Sequence, residues 1–330
     1  MKVIDMHCDT ISELFYARRD GKDYSLLSNQ CHVDLNKMKK GDYLLQNFAL
    51  FTELQREKKP FEYCMQLADL FYTEMEQHKD IIGAVTTYED IEENRRIGRM
   101  SALLTIEEGG VCQGEIGFLR DFYRLGVRMM TLTWNYPNEL GYPNKAVQNG
   151  DEMYFAPDTE HGLTETGIQF VEEMERLGMI IDISHLSDAG IMDVFRYTTK
   201  PFAASHSNAR AIASAPRNLT DEMIKLLSER GGVAGINYYS GFLCDSKNGE
   251  REISRVEDMI AHMKHMKQIG GIQCIGLGSD FDGIGGELEI GSPEDLPVLE
   301  RAMRKAGFTE SEIEAVFYKN VLRVYKEILR

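Results

Sequence analysis

The sequence has no basic excess, no paired-cysteine motif and no long apolar run. Its 330 residues carry a formal net charge of −16. An acidic chain lacks the broad cationic face that a polyphosphate backbone requires, so nucleic acid is not an expected partner. The six cysteines, Cys8, Cys31, Cys64, Cys112, Cys244 and Cys274, are scattered and form no C-x-x-C pair. In a chain of this length they read as reduced thiols of a cytosolic protein. No stretch approaches the roughly 18 uninterrupted apolar residues of a membrane span. Asp5 and His7 break the apolar region that a secretory leader would need. No Pro/Ser-rich linker divides the chain. These absences predict a cytoplasmic protein, not bound to membrane, in a single domain over residues 1–330.

What is there supports a large core, because 43% of the residues are hydrophobic and only 27% charged. Short apolar runs alternate with longer amphipathic stretches. Eight runs read as strands: Val3 to Met6, Leu44 to Phe51, Ser101 to Ile106, Arg128 to Thr133, Met179 to Ser184, Phe202 to Ser205, Gly232 to Asn237 and Gln273 to Gly278. Runs apolar on both faces suit a parallel sheet covered on both sides. Helix starts are marked by Ser254 with Glu257 and by Thr309 with Glu312, as capping boxes. Ser187, Thr220 and Ser292-Pro293 are further caps. Eight β-then-α units in a chain of this length predict a (β/α)8 TIM-type barrel, with a doubly wound open sheet as the alternative. The polar, turn-rich segment from Trp134 to His161 reads as a functional loop over one end. Thr309 to Lys319 and Val321 to Leu329 read as helices packed outside the barrel.

Ionisable residues recur where the apolar strands stop. His7 and Asp9 follow the first strand, Glu107-Glu108-Gly109-Gly110 the third, His185 the fifth, His206 the sixth and Asp280 the eighth. In a β/α barrel all carboxyl-terminal strand ends converge on one face. Carboxylates and imidazoles crowded together are costly without a cation. His7 and Asp9, two residues apart on an extended strand, project to one side and could chelate one ion. His185 and His206 could hold a second, and one of the two glutamates could bridge. Two divalent ions about 3.5–4 Å apart would share a water or hydroxide. Oxygen and nitrogen ligands without cysteine suit Zn²⁺, with Mn²⁺ or Co²⁺ as alternatives.

Other polar residues read as structural. His262 and His265, on the amphipathic stretch Val256 to Ile269, read as a solvated helix face. Cys8 points away from His7 and Asp9 and reads as packing. Gly283-Ile284-Gly285-Gly286 is not followed by a helix, so it makes a poor phosphate loop.

The ordered set His7-x-Asp9, Glu108-Gly109-Gly110, Asp182-Ile183-Ser184-His185, Ser205-His206-Ser207, Arg217-Asn218 and Asp280-Phe281-Asp282-Gly283 resembles the membrane (renal) dipeptidase family of metallopeptidases. The resemblance implies a metallo-dependent hydrolase barrel with a binuclear zinc centre. It implies that His7 and Asp9 bind the first zinc, His185 and His206 the second, and Glu108, directly before the glycine pair, bridges both. It implies that Asp280 holds the bridging water and handles its proton. Arg217 would grip the carboxylate of a dipeptide with two parallel hydrogen bonds. The implied activity is hydrolysis of L-Xaa-L-Xaa and L-Xaa-D-Xaa dipeptides by a metal-bridging hydroxide. Where mammalian members carry a histidine after the fourth strand, Trp134-Asn135 stands here, as in a bacterial-type subgroup. Trp134 and Asn135 are therefore expected to contact substrate. Base rate and the resemblance both point towards a homodimer.

Two other classes are weighed. One is an amidohydrolase acting on cyclic amides, lactones or phosphotriesters. Those barrels usually open with His-x-His and often use a bridging lysine, whereas here Asp9 is the second residue and no lysine sits at a strand end. The other is a non-catalytic metal- or peptide-binding barrel, which would be expected to have lost part of the ligand set or Asp280.

Overall fold

A computed structural model describes residues 1–149, 152–245 and 253–329. Eight parallel strands close into a barrel: β1 (Val3–Asp5), β2 (Tyr43–Phe51), β3 (Met100–Glu107), β4 (Met129–Thr131), β5 (Ile180–Asp182), β6 (Ala203–Ala204), β7 (Val233–Ile236) and β8 (Ile275–Leu277). Each pairs with the next, with one register shift between Val3 and Ile4 where β1 meets β2, and Asp5 opposite Leu277 joins β1 to β8. A helix follows each strand, at Thr10–Arg19, Pro60–Gln77, Ile116–Leu125, Glu165–Leu177, Asp188–Tyr197, Asp221–Glu229, Val256–Gly270 and Pro297–Lys305. The barrel expected from the alternating apolar runs is therefore the fold, and the open doubly wound sheet is not. Among the described residues no helix is long and apolar enough to cross a membrane.

A further strand, Ile82–Val85, was not among the expected eight. It pairs with the first half of β3, from Met100 to Leu103, while β4 takes the same edge from Thr105 onward. It is four residues long and contains Gly83, so its apolar signal is weak. The segment from Trp134 to His161, read as a loop, contains an antiparallel hairpin, Lys145–Asn149 with Glu152–Ala156; residues 150 and 151 lie outside those described.

The period-two alternation of β3 separates two cores. Ala102, Leu104 and Ile106 face the helices, while Leu103 faces the barrel interior. Interior residues near the strand starts, Ile4, Leu45, Leu103, Met129, Ile180, Ala203 and Val233, cluster with Val321, Val324, Tyr325 and Ile328 of the helix Asn320–Ile328. Tyr325 is fully buried, and its hydroxyl donates to Asn47 Oδ1 at 2.9 Å. This corrects the expectation for the last helix: it seals the amino-terminal end of the barrel instead of lying on its outer wall. The apolar stripe of that helix is wide enough to fill a barrel mouth, and sequence periodicity does not say which apolar surface it meets.

The caps follow local chemistry. Ser187, Thr220 and Thr309 accept the expected backbone N–H bonds, and Thr309 with Glu312 forms a full capping box. Ser254 does not cap its helix. The Glu289 carboxylate, 2.8 Å from the backbone nitrogen of Val256, takes that place. Ser292-Pro293 starts a short 3₁₀ turn before the helix Pro297–Lys305.

Candidate metal centre

The carboxyl-terminal ends of the strands bring His7, Asp9, Glu107, His185, His206 and Asp280 together. Three overlapping groups of them have ligand atoms within 4.8 Å of one another: His7, Asp9 and Glu107; Glu107, His185 and His206; and His7, His206 and Asp280. His7, His206 and Glu107 each belong to two of the groups, and Glu107 joins the first to the second. Its Oε2 lies 3.3 Å from His7 Nε2, and its Oε1 lies 3.0 Å from His185 Nε2 and 3.7 Å from His206 Nε2. His7 Nε2 is also 3.3 Å from Asp9 Oδ2 and 3.8 Å from Asp280 Oδ1. All six residues are buried.

Glu108 does not join this cluster, which corrects the assignment made from the glycine pair. Glu107 ends β3, and the two-residue period that turns Leu103 inward turns Glu107 inward too. Glu108 leaves the strand with φ +99°, and its carboxylate turns sideways. It accepts from the backbone N–H of Gly110 at 2.8 Å and of Trp134 at 3.0 Å, and from the Asn138 amide. Glu108 thus ties the end of β3 to the segment after β4. Burial lifts its pKa to about 7, partly offset by those three bonds.

Secondary contacts fix the histidine tautomers. Ser205 Oγ donates to the Asp182 carboxylate, so the same oxygen must accept from His206 Nδ1, 2.7 Å away. Asn135 Oδ1, 2.9 Å from His185 Nδ1, likewise accepts. Both imidazoles therefore present Nε2 lone pairs, 3.0 Å apart, towards Glu107. Asp182 also accepts from the N–H groups of Ser184 and Ser205 and from the Thr131 hydroxyl, which locks the ends of β4, β5 and β6 to one carboxylate. Asp5 does the same for β1 and β8, accepting from His7 N–H and Ser279 N–H. Asn237, after β7, donates to Asp280 Oδ2 at 2.9 Å.

Electrostatics give the cluster a reason to bind cations. Burial pushes Asp9 up to about 8, with Glu107 adding repulsion, and pushes Asp280 up to about 6. Burial works against charge on Glu107 too, but His7 and His185 more than offset it and hold its pKa well below the usual range. Burial, with the Arg217 charge nearby, keeps His185 neutral down to about pH 4, and burial also holds His206 well below the usual histidine range. Two polar atoms, His7 Nε2 and Asp9 Oδ1, are buried without a hydrogen-bond partner. Lone pairs and carboxylate oxygens converging on one point, with orphaned atoms among them, fit divalent cations of the zinc type.

The remaining expected residues line or adjoin a cavity of about 520 Å³ above the cluster. Trp134 and Asn135 are on its wall, with Phe51, Tyr239 and Phe242. The Trp134 ring stands 5.0 Å from Phe51 and 6.2 Å from His185, centroid to centroid. Arg217 is half-buried, donating to Ser207 Oγ and to the His206 carbonyl, with the Phe242 ring 5.4 Å from its guanidinium. Its Nε is buried without a partner. Burial lowers its pKa to about 10, which leaves it cationic at neutral pH. Gly283 makes the close approach of the last loop feasible, because a Cβ there would lie 2.2 Å from Asp9 Oδ2.

Sequence reasoning missed Asp182, Ser205 and Asn237 as supports of the site. Asp182 and Ser205 are polar residues within otherwise apolar runs, and that interruption was the available signal. His262, read as solvated, is fully buried. Its Nδ1 accepts from Ala209 N–H and its Nε2 donates to the Leu243 carbonyl, which steadies the loop after β6.

A parallel barrel with imidazoles and carboxylates gathered at its carboxyl-terminal mouth defines a TIM-barrel metal-dependent hydrolase. The whole chain, residues 1–330, matches Membrane dipeptidase (Peptidase family M19), and the protein belongs to that family. It is 30% identical over 311 residues to an uncharacterised dipeptidase of Schizosaccharomyces pombe, covering 90% of this chain and 72% of that one. It is 34% identical over 240 residues to an uncharacterised protein of Klebsiella pneumoniae, covering 72% and 86%. A solved metallopeptidase of the same family, dipeptidase AC, superposes with a TM-score of 0.88 at 25% identity, covering 100% of this chain and 99% of that one. A metallopeptidase from Rhodobacter sphaeroides, solved with a phosphinate mimic of the dipeptide L-Ala-D-Ala, shares the fold with a TM-score of 0.87 at 23% identity over 99% of each chain. Family membership makes the activity metal-dependent hydrolysis of dipeptides.

Proposed function

We propose that the protein is a cytoplasmic, binuclear zinc dipeptidase in which His7 and Asp9 hold one ion, His185 and His206 the other, and Glu107 bridges them. The observation that carries this reading is the position of Glu107, whose two carboxylate oxygens face opposite histidine sets. The cytoplasmic assignment is supported by the scattered placing of the cysteines, which form no C-x-x-C pair and no dense framework. When bound, such a metal pair polarises a carbonyl and acidifies water near neutral pH.

The chain's own residues supply the rest. Arg217 receives the substrate's terminal carboxylate, for which its partnerless Nε and the remaining guanidinium hydrogens are free donors. A carboxylate fixed there limits the substrate to one residue beyond the scissile bond, which separates a dipeptidase from an endopeptidase. Asp280, oriented by Asn237, takes the proton of the attacking water and returns it to the departing amine. Trp134, Phe51 and Phe242 present apolar surface that excludes bulk water from the cavity. A carboxylate grip leaves the configuration of the last residue unread, so L-Xaa-D-Xaa dipeptides are substrates alongside L-Xaa-L-Xaa. The mimic bound by the Rhodobacter sphaeroides relative supports the D-residue.

The test pairs metal analysis with dipeptide hydrolysis on one preparation. Two equivalents of zinc and activity abolished by a chelator are expected. Glu107→Gln should lose both metal and turnover, whereas Glu108→Gln should keep its metal. Loss of metal from Glu108→Gln with retention in Glu107→Gln would reverse the assignment.

A further inference from the structure

Asp9, Ser12, Glu13 and Tyr16 recur at the spacing of a single helical face, and all four line the cavity above the metal cluster. Asp9 is explained by the cluster, but the other three are not. Ser12 is only 3% exposed, and its hydroxyl has no hydrogen-bond partner. Serine within a helix usually returns its hydroxyl to a carbonyl one turn back; this one does not. Glu13 has no ion-pair partner among the described residues. Tyr16 is 39% exposed and stacks on Tyr63, which fixes the ring beside the cavity.

We infer that Ser12, Glu13 and Tyr16 form the subsite for the substrate's amino-terminal residue and select a cationic side chain there, lysine or arginine. The inference rests on the dipeptidase reading, which sets the direction of the substrate. Arg217 adjoins His206 and Phe242, so the carboxylate end lies on the β6 side. The scissile bond lies at the cluster. The amino-terminal residue then extends past Asp9, along the helix Thr10–Arg19. From Asp9 to Glu13 that helix rises about 6 Å, a span that suits the four-carbon stem of lysine.

Charge on this wall favours a cation. Asp282 is already occupied, accepting from the Thr10 hydroxyl and from His32 N–H and Val33 N–H. Glu53 is paired with Arg56 at 2.8 Å, and the Arg56 side chain is 80% exposed. Glu13 is left without a close ion pair, its charge offset only at longer range by Lys22. A lysine ammonium there would meet a carboxylate, a partnerless hydroxyl oxygen and an aromatic ring, each of which favours a cation.

The experiment compares kcat/KM of the metal-loaded enzyme on dipeptides sharing a carboxyl-terminal alanine, with amino-terminal lysine, arginine, norleucine, glutamate or alanine. Lysine and arginine should exceed norleucine by about fivefold, through KM, and the ratio should shrink as salt rises. Glu13→Gln should bring the lysine-to-norleucine ratio close to one, Ser12→Ala should lower it, and Glu13→Lys should reverse the preference towards glutamate. A wild-type preference for glutamate, governed by Arg56, would overturn the inference, as would a ratio untouched by Glu13→Gln. Failure to cleave the alanine dipeptide itself would sink the dipeptidase reading and the subsite with it. Cleavage of that dipeptide without charge selection would sink the subsite alone.

Discussion

At the carboxyl-terminal end of the barrel, six ionisable side chains are buried within reach of one another, and His185, Asp280, Asp282 and Glu108 all adopt positive φ. At the amino-terminal end, Ile4, Leu45, Leu103 and Val233 are packed against Val321, Val324 and Ile328, with the Tyr325–Asn47 bond as a polar contact among them. One closed sheet thus supports two opposite solutions. The lower end is held by apolar burial, which needs no exact ligand. The upper end is polar throughout and depends on cations, on hydrogen-bonded supports and on backbone conformations that side-chain-bearing residues rarely adopt.

The largest way to sharpen this contrast is Asp280→Asn. Metal content should persist while turnover falls by about 10²–10⁴. Metal analysis beside steady-state kinetics checks it, and normal turnover would refute the role of Asp280.

A second test uses acid. Burial holds His262 neutral down to about pH 4, below the ordinary histidine value. Between about pH 6.5 and 4 the unfolded chain takes up a proton at this position that the folded chain does not, so stability falls as pH falls. The shift corresponds to about 3 kcal/mol across that window. Denaturant unfolding of wild type and His262→Gln at pH 7 and pH 4.5 should show a smaller acid loss in the variant.

The smallest expected effect is at the other end. Tyr325→Phe removes the bond to Asn47 and should cost about 1 kcal/mol, with no change in turnover per folded molecule. A change in KM or metal content would mean that the two ends are coupled.

Most of the barrel was legible because strands covered on both faces must be apolar throughout, and eight such runs stand out. Ile82–Val85 was not, because it covers only half of one neighbour and contains Gly83. The site's location was legible from polar residues at strand ends. The choice between Glu107 and Glu108 was decidable from strand parity. Leu103, Thr105 and Glu107 share a face, while the glycine pair that attracted the assignment lies beyond the strand. His262 carried a similar signal: with Met259, Met263 and Met266 it lies on the buried stripe of its helix. The supports Asp182 and Asn237 were harder to see, since their partners lie on different strands and only closure of the sheet brings them together.

The positive φ angles of His185 and Asp280 set thermal robustness against turnover in this molecule. Glycine at either position would relax the backbone, by about 1 kcal/mol or more, while deleting the group that does the chemistry. Selection for heat resistance alone would therefore drift towards inert proteins, and any directed-evolution campaign on this scaffold must score hydrolysis in every round.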